Sequence, residues 1–153
     1  MIVVSDTSAV TSLLQIGRAE LLSALYDKVL IPEAVERELK HDHPALPDFI
    51  HVERASNLQV VQRLLEEVDR GEAEAIALMI AKRGDLLLID ERRGRRVARR
   101  EGLPVIGLLG VLAQAKRRGL LDSLGSTLTD LQRVAGFRIS DELKARVLAE
   151  VGE

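Results

Sequence analysis

Twice in this chain a wholly apolar run stops at an acid. Ile2-Val3-Val4 leads through Ser5 to Asp6, and Leu86-Leu87-Leu88-Ile89 leads directly to Asp90. Short apolar runs without polar alternation suit strands buried on both faces of a parallel sheet. A carboxylate at the C-terminal end of such a strand projects into the crevice where open α/β sheets take ligands. Helical spacing follows the first acid at once, with Ala9, Val10, Leu13 and Leu14 on one stripe. Asp6 alone is explained equally well as a helix cap, because Asp, Ser and Thr all cap helices. The recurrence at Asp90 argues for more than capping.

The remaining punctuation fits the same plan. Lys28-Val29-Leu30-Ile31 reads as a strand, and Pro32 then opens a helix at a position where a missing N–H costs nothing. Residues 41–56, with His41, His43, Pro44 and Pro47, read as irregular apart from a short helical turn near 45–50. The spacing of Ala73, Ile76, Ala77 and Ile80 predicts a helix that Gly84 ends, and Val105-Ile106 gives a last short strand. Alternating strands and helices predict an α/β fold of three layers, α/β/α, around a central, mainly parallel sheet of four to five strands with right-handed crossovers. At 153 residues and 46% hydrophobic content, the whole of 1–153 is expected to form one domain.

Composition removes several chemistries. There is no cysteine, so disulfides, thiolate metal sites and cysteine nucleophiles are excluded. His41 and His43 read as solvated loop residues rather than metal ligands. No run of about 18 apolar residues suggests a membrane span, and the chain starts on a strand without a leader-like segment, so a cytoplasmic setting is expected. A net charge of −2 does not advertise a nucleic-acid binder, although it hides local segregation of sign. Tyr26, Phe49 and Phe137 are the only aromatic residues, so recognition by stacking bases on aromatic platforms is not expected and any nucleic acid would have to be gripped through its phosphates.

In a parallel sheet Asp6 and Asp90 share one edge, and helices starting there add further carboxylates. Helical geometry puts Glu38 between Ala34 and Val35 on the inward face of its helix, with Glu33 and Glu36 outward. Glu72 and Glu74 flank the alanine-rich stripe on opposite sides, and either one can reach the cluster. Converging carboxylates without matching cations repel one another. Oxygen-only ligation suits a hard divalent cation, Mg²⁺ or Mn²⁺, which keeps waters and bridges to phosphates.

The ordered set Val3-Val4-Ser5-Asp6-Thr7-Ser8, Ile31-Pro32-Glu33-Ala34-Val35-Glu36-Arg37-Glu38-Leu39, Gly71-Glu72-Ala73-Glu74-Ala75 and Leu87-Leu88-Ile89-Asp90-Glu91-Arg92-Arg93-Gly94-Arg95 resembles the PIN-domain nucleases. More narrowly it is similar to the VapC-like branch of small prokaryotic PIN proteins of unknown function. Val105-Ile106-Gly107-Leu108 and Gly136-Phe137-Arg138-Ile139-Ser140 extend the likeness over nearly the whole chain. The resemblance implies a divalent-metal-dependent ribonuclease, the toxin of a toxin–antitoxin pair, acting on RNA as a homodimer with a cognate antitoxin. It assigns acidic roles to Asp6, Glu38, Glu72 and Asp90, with Glu74 competing for the third place. Glu91 would join the metal ligands, and Ser8 would support Asp6. Leu88 stands where toxin-like members commonly carry Thr, and the third acid is more usually an aspartate. Arg92, Arg93, Arg95 and Arg96, directly after Asp90, would grip RNA phosphates.

Two further readings compete. A catalytically weak PIN-like module would bind RNA or an antitoxin without cutting. A haloacid-dehalogenase-type phosphatase also begins with a strand ending in aspartate, but it needs a second acid two residues later, where this chain has Ser8.

Overall fold

The apolar runs pair in parallel in the computed structural model, which describes residues 1–153. The chain forms β1 (Val3–Ser5), α1 (Thr7–Gln15), α2 (Glu20–Tyr26), β2 (Val29–Pro32), α3 (Glu33–Asp42), β3 (Ile50–Glu53) and α4 (Leu58–Leu64). It continues with α5 (Arg70–Lys82), β4 (Leu86–Leu88), α6 (Arg92–Arg100), β5 (Val105–Ile106), α7 (Leu108–Arg117), α8 (Leu124–Val134) and α9 (Asp141–Glu150). The five strands lie in the order β3-β2-β1-β4-β5, every neighbouring pair parallel. Strand order therefore reverses between β1 and β4, and a crevice opens at their C-terminal ends. No helix is long and apolar enough to cross a membrane.

Side chains alternate across the sheet and feed two cores. Val3, Val29, Ile31 and Leu88 join a cluster with α1, α2, α7 and α8, whereas Val4, Leu30, Leu87 and Ile89 join a cluster with α4, α5 and α6. This is the three-layer α/β/α arrangement, with the central strands β1, β2 and β4 buried on both faces. Helix α5 is apolar nearly all round: every residue from Gly71 to Met79 is buried, beyond the single stripe its spacing suggests. Its close approach relies on Ala73, Ala75 and Ala77.

Two details depart from the sequence reading. Residues 50–53, within the stretch expected to be irregular, form an edge strand paired along β2 from Val29↔Ile50 to Pro32↔Glu53, directly after a turn closed by the Ile50 N–H donating to the Pro47 carbonyl at 3.1 Å. His51 and Val52 are exposed there, so no apolar pattern marks the strand. Helix α5 ends at Arg83, which takes the left-handed conformation at φ 50°, and not at Gly84. Gly84 is needed beside it for another reason, since a Cβ there would stand 2.2 Å from the Met79 sulfur.

Glu74 fastens α5 to α3. Its Oε1 accepts from the Ala34 N–H at 3.1 Å and its Oε2 from Arg70 at 3.2 Å. Pro32, at the N-cap of α3, offers no side-chain acceptor, so a residue distant in sequence satisfies one of the free N–H groups of that helix. Glu74→Ala leaves that buried N–H without a partner and is expected to cost about 1–3 kcal/mol in urea unfolding. Glu74→Gln keeps an amide oxygen for Ala34 and is expected to recover most of the loss.

Candidate active site

Three carboxylates gather at the β1–β4 reversal. Ser5 lies opposite Leu88 in the register, and the Asp6 N–H donates to the Leu88 carbonyl at 2.9 Å, so both strands deliver their acids to one rim. Asp6 is 2% exposed; its Oδ2 accepts from the Asp90 N–H at 3.3 Å, and its Oδ1 has no partner. It sits at the N-cap of α1 without a side-chain capping bond of regular geometry, although the Ala9 N–H in the first turn still favours its charged form. Burial, reinforced by the neighbouring Asp90 and Asp69 carboxylates and opposed by the N–H groups of Asp90 and Ala9, pushes its pKa up to about 7.

Glu72 occupies the first turn of α5 and is 8% exposed, with Oε2 buried and unpartnered. Burial first, then the adjacent Asp69 carboxyl, then the charges of Asp6 and Glu91 push its pKa up to about 8. Asp69 caps α5 by accepting from the Glu72 N–H at 2.8 Å, and it is an acid that sequence reasoning passed over. Its place at the N-cap before a helix was the available signal. Asp90 is better provided for: its Oδ1 accepts from the Leu108 N–H at 3.0 Å, and Arg95 stands 3.6 Å from the same oxygen while donating to the Asp90 carbonyl at 2.7 Å.

The other expected acids divide. Glu38 is exposed rather than buried on an inward face, and its Oε2 accepts from the Thr7 hydroxyl at 2.8 Å. Helical phase puts it beside Ala34 and Val35, but its long stem reaches past the packed stripe to the rim, where Thr7 follows Asp6. Ser8 makes no hydrogen bond to Asp6; the hydroxyl that supports an acid here is that of Thr7. Glu91 is exposed at the N-cap of α6 and shares with Asp69 and Glu72 a shallow cleft of about 330 Å³. Glu74, held by Ala34 and Arg70, belongs to the fold, which leaves Glu72 as the acid that faces Asp6.

Glycines make room for these carboxylates. A Cβ on Gly71 would meet Glu38 Oε1 at 2.6 Å, one on Gly94 would meet Glu72 Oε2 at 2.1 Å, and one on Gly107 would meet Asp90 Oδ1 at 3.2 Å. A Cβ at Gly71 or Gly94 would displace the carboxylate it meets, and one at Gly107 would press first on the Arg95 guanidinium at 2.8 Å.

The arginines of α6 sort by helical phase into two faces. Arg92, Arg95 and Arg99 line a cleft of about 590 Å³ that also includes Asp90 and Arg138. Arg93, Arg96 and Arg100 line a separate groove on the far side with Glu67, which Arg100 grips through both guanidinium nitrogens. The four arginines expected to act together are thus split, Arg92 and Arg95 beside Asp90, Arg96 away from it and Arg93 also lining the cleft of Asp69, Glu72 and Glu91, because spacings of three and four residues share a face and a spacing of one does not.

No group of three or more His, Asp or Glu side chains stands close enough, as the side chains lie, to enclose a metal ion. The donor chemistry nevertheless suits a hard cation: two buried carboxylate oxygens, on Asp6 and Glu72, lack any partner. Mg²⁺ keeps several waters and commonly takes only one or two carboxylates plus substrate phosphates, so a full protein cage is not required.

Comparison with known proteins gave one family match: the model for DUF3368, described as a PIN domain, covers residues 2–153. No curated protein and no solved structure matches.

The two raised carboxyls carry a sign for pH. Unfolded, they lose their protons near 3.8 and 4.5, whereas folded they keep them to about 7 and about 8. Between those limits the folded state binds more protons, so stability is greatest below the lower limit and falls as pH rises through the upper one. In chelator, the melting temperature is expected to drop between pH 5 and 8.5, and the drop to shrink in Asp6→Asn and Glu72→Gln. A flat profile in the unsubstituted protein would contradict the assignment.

Proposed function

The chain belongs to the PIN-domain family, and on that premise we propose that it is a divalent-metal-dependent ribonuclease that hydrolyses RNA phosphodiester bonds. One observation carries the reading: Asp6 and Glu72 are buried, raised in pKa and each left with an orphaned oxygen beside Asp90. Asp6, Glu72 and Asp90 would hold one Mg²⁺ or Mn²⁺, with Glu38 and Glu91 at the rim. When bound, the ion supplies a water of lowered pKa and neutralises charge on the phosphoryl oxygens.

The protein's own groups do the remainder. Asp6 and Glu72 release protons as they become ligands, so binding strengthens with pH. Arg95 fixes the Asp90 backbone and carboxylate together, and Arg92 offers a substrate phosphate a planar pair of donors next to that acid. The family likeness supports placing this activity in the toxin of a toxin–antitoxin pair, paired with an antitoxin and acting as a homodimer. A second reading, a PIN-like binding module with weak catalysis, is favoured by the spacing of the acids, no three of which stand close enough together to enclose an ion.

The deciding experiment is cleavage of RNA with Mn²⁺, with Mg²⁺ and in chelator. Metal-dependent cleavage is expected, falling to background in Asp6→Asn and Glu72→Gln and persisting in Glu74→Gln. At pH 8 either ion is expected to raise the melting temperature of the unsubstituted protein and not of the double variant. Binding of RNA without metal-dependent cleavage would favour the module instead.

A further inference from the structure

The cleft beside Asp90 is lined by two kinds of side chain. Arg92, Arg95 and Arg99 come from a single face of α6 and are joined by Arg138 from the segment before α9. Ile106, Leu109, Phe137 and Leu143 are apolar, half-buried at the edge of the first core and open to the cleft on their other side. Arg92, Arg99 and Arg138 are exposed, and no carboxylate pairs with any of them, whereas across α6 Arg100 is paired with Glu67. A ligand that satisfies both kinds of lining has an anionic group and a flat apolar body on one compact unit, and about 590 Å³ falls within the usual range for such a site.

Resting on the ribonuclease reading, we infer that this cleft is a subsite for one unstacked nucleotide of single-stranded RNA. Arg92, Arg99 and Arg138 hold its phosphate, and its base lies on the apolar side chains of Phe137, Ile106, Leu109 and Leu143. Asp90 lines the same cleft and touches the acid cluster through its N–H bond to Asp6, so a nucleotide seated there puts the neighbouring phosphodiester at the carboxylates. A base paired inside a duplex cannot turn onto a protein wall, whereas unpaired bases stack readily on aromatic rings. The scarcity of aromatic residues does not oppose this, since one base needs one ring and Phe137 is in place. Arg138, from the Gly136-Phe137-Arg138 turn, becomes a binding residue for the substrate.

The test uses Asp6→Asn protein in chelator, so that binding is read without cleavage, and a short RNA offered as single strand or annealed to its complement across a salt series. The single strand is expected to bind at least about tenfold tighter than the duplex. Arg138→Ala and Arg99→Ala are each expected to flatten the log–log salt slope by about 0.7, the signature of one lost phosphate contact on a single strand. Phe137→Leu, which keeps apolar bulk, is expected to weaken single-strand binding about tenfold with the slope unchanged. Arg96→Ala on the far face should alter neither. Equal binding of duplex and single strand, or an unchanged slope in both arginine variants, overturns the subsite. Displacement by polyglutamate as effective as by RNA of equal charge also overturns it and assigns the cleft to an acidic protein partner. If the binding pattern holds but metal-dependent cleavage is absent from the unsubstituted protein, the subsite stands and the catalytic reading fails. If cleavage occurs and the cleft variants bind unchanged, the reverse is true.

Discussion

Parallel pairing of β1 with β4 is the constraint on which the rest depends. Because Ser5 lies opposite Leu88, the residues that follow leave the sheet together, and the Asp90 N–H reaches the Asp6 carboxylate. A shift of one residue in that register would turn one acid towards a helix layer and separate the pair. Burial on both sides holds these strands: Val3 and Leu88 enter one core, Val4 and Leu87 the other. Apolar packing distributed over both layers thus holds the polar site in place.

Much of this was legible in the residues because the informative positions are extreme. Apolar runs ending at Asp6 and Asp90 state both the strand and its destination, and the parallel sheet brings those ends together. Strand β3 was not legible, since an edge strand with an exposed Val52 and His51 has no burial pattern to imprint. Glu38 was misjudged because helical phase describes where Cβ points and says little about where a long side chain ends. The choice between Glu72 and Glu74 needed partners that only coordinates supply: Glu74 finds the N-terminus of α3, and Glu72 finds another acid.

The glycines hold information that a search for acids overlooks. Gly71, Gly94 and Gly107 each leave the space into which Glu38, Glu72 and Asp90 respectively settle, and each adjoins a motif residue in sequence without any chemistry of its own. Gly94 also breaks the run of arginines on α6, at a cost to the helix of about 1 kcal/mol relative to alanine. That helix is bordered by charge on two faces and by a carboxylate on its buried side, so the polypeptide accepts a weaker helix to keep an acid within reach of Asp6.

Asp90 and Glu72 differ in what ties them to the molecule. Asp90 anchors the first turn of α7 through Leu108, so the layer behind β4 hangs from it whether or not any reaction takes place. Glu72 supports nothing, and its burial beside other acids is a standing disadvantage to the native state. A descendant relieved of selection for chemistry would therefore retain Asp90 as architecture and shed Glu72 early, which makes a glutamate at position 72 a better witness to a working site than the aspartate that draws the eye.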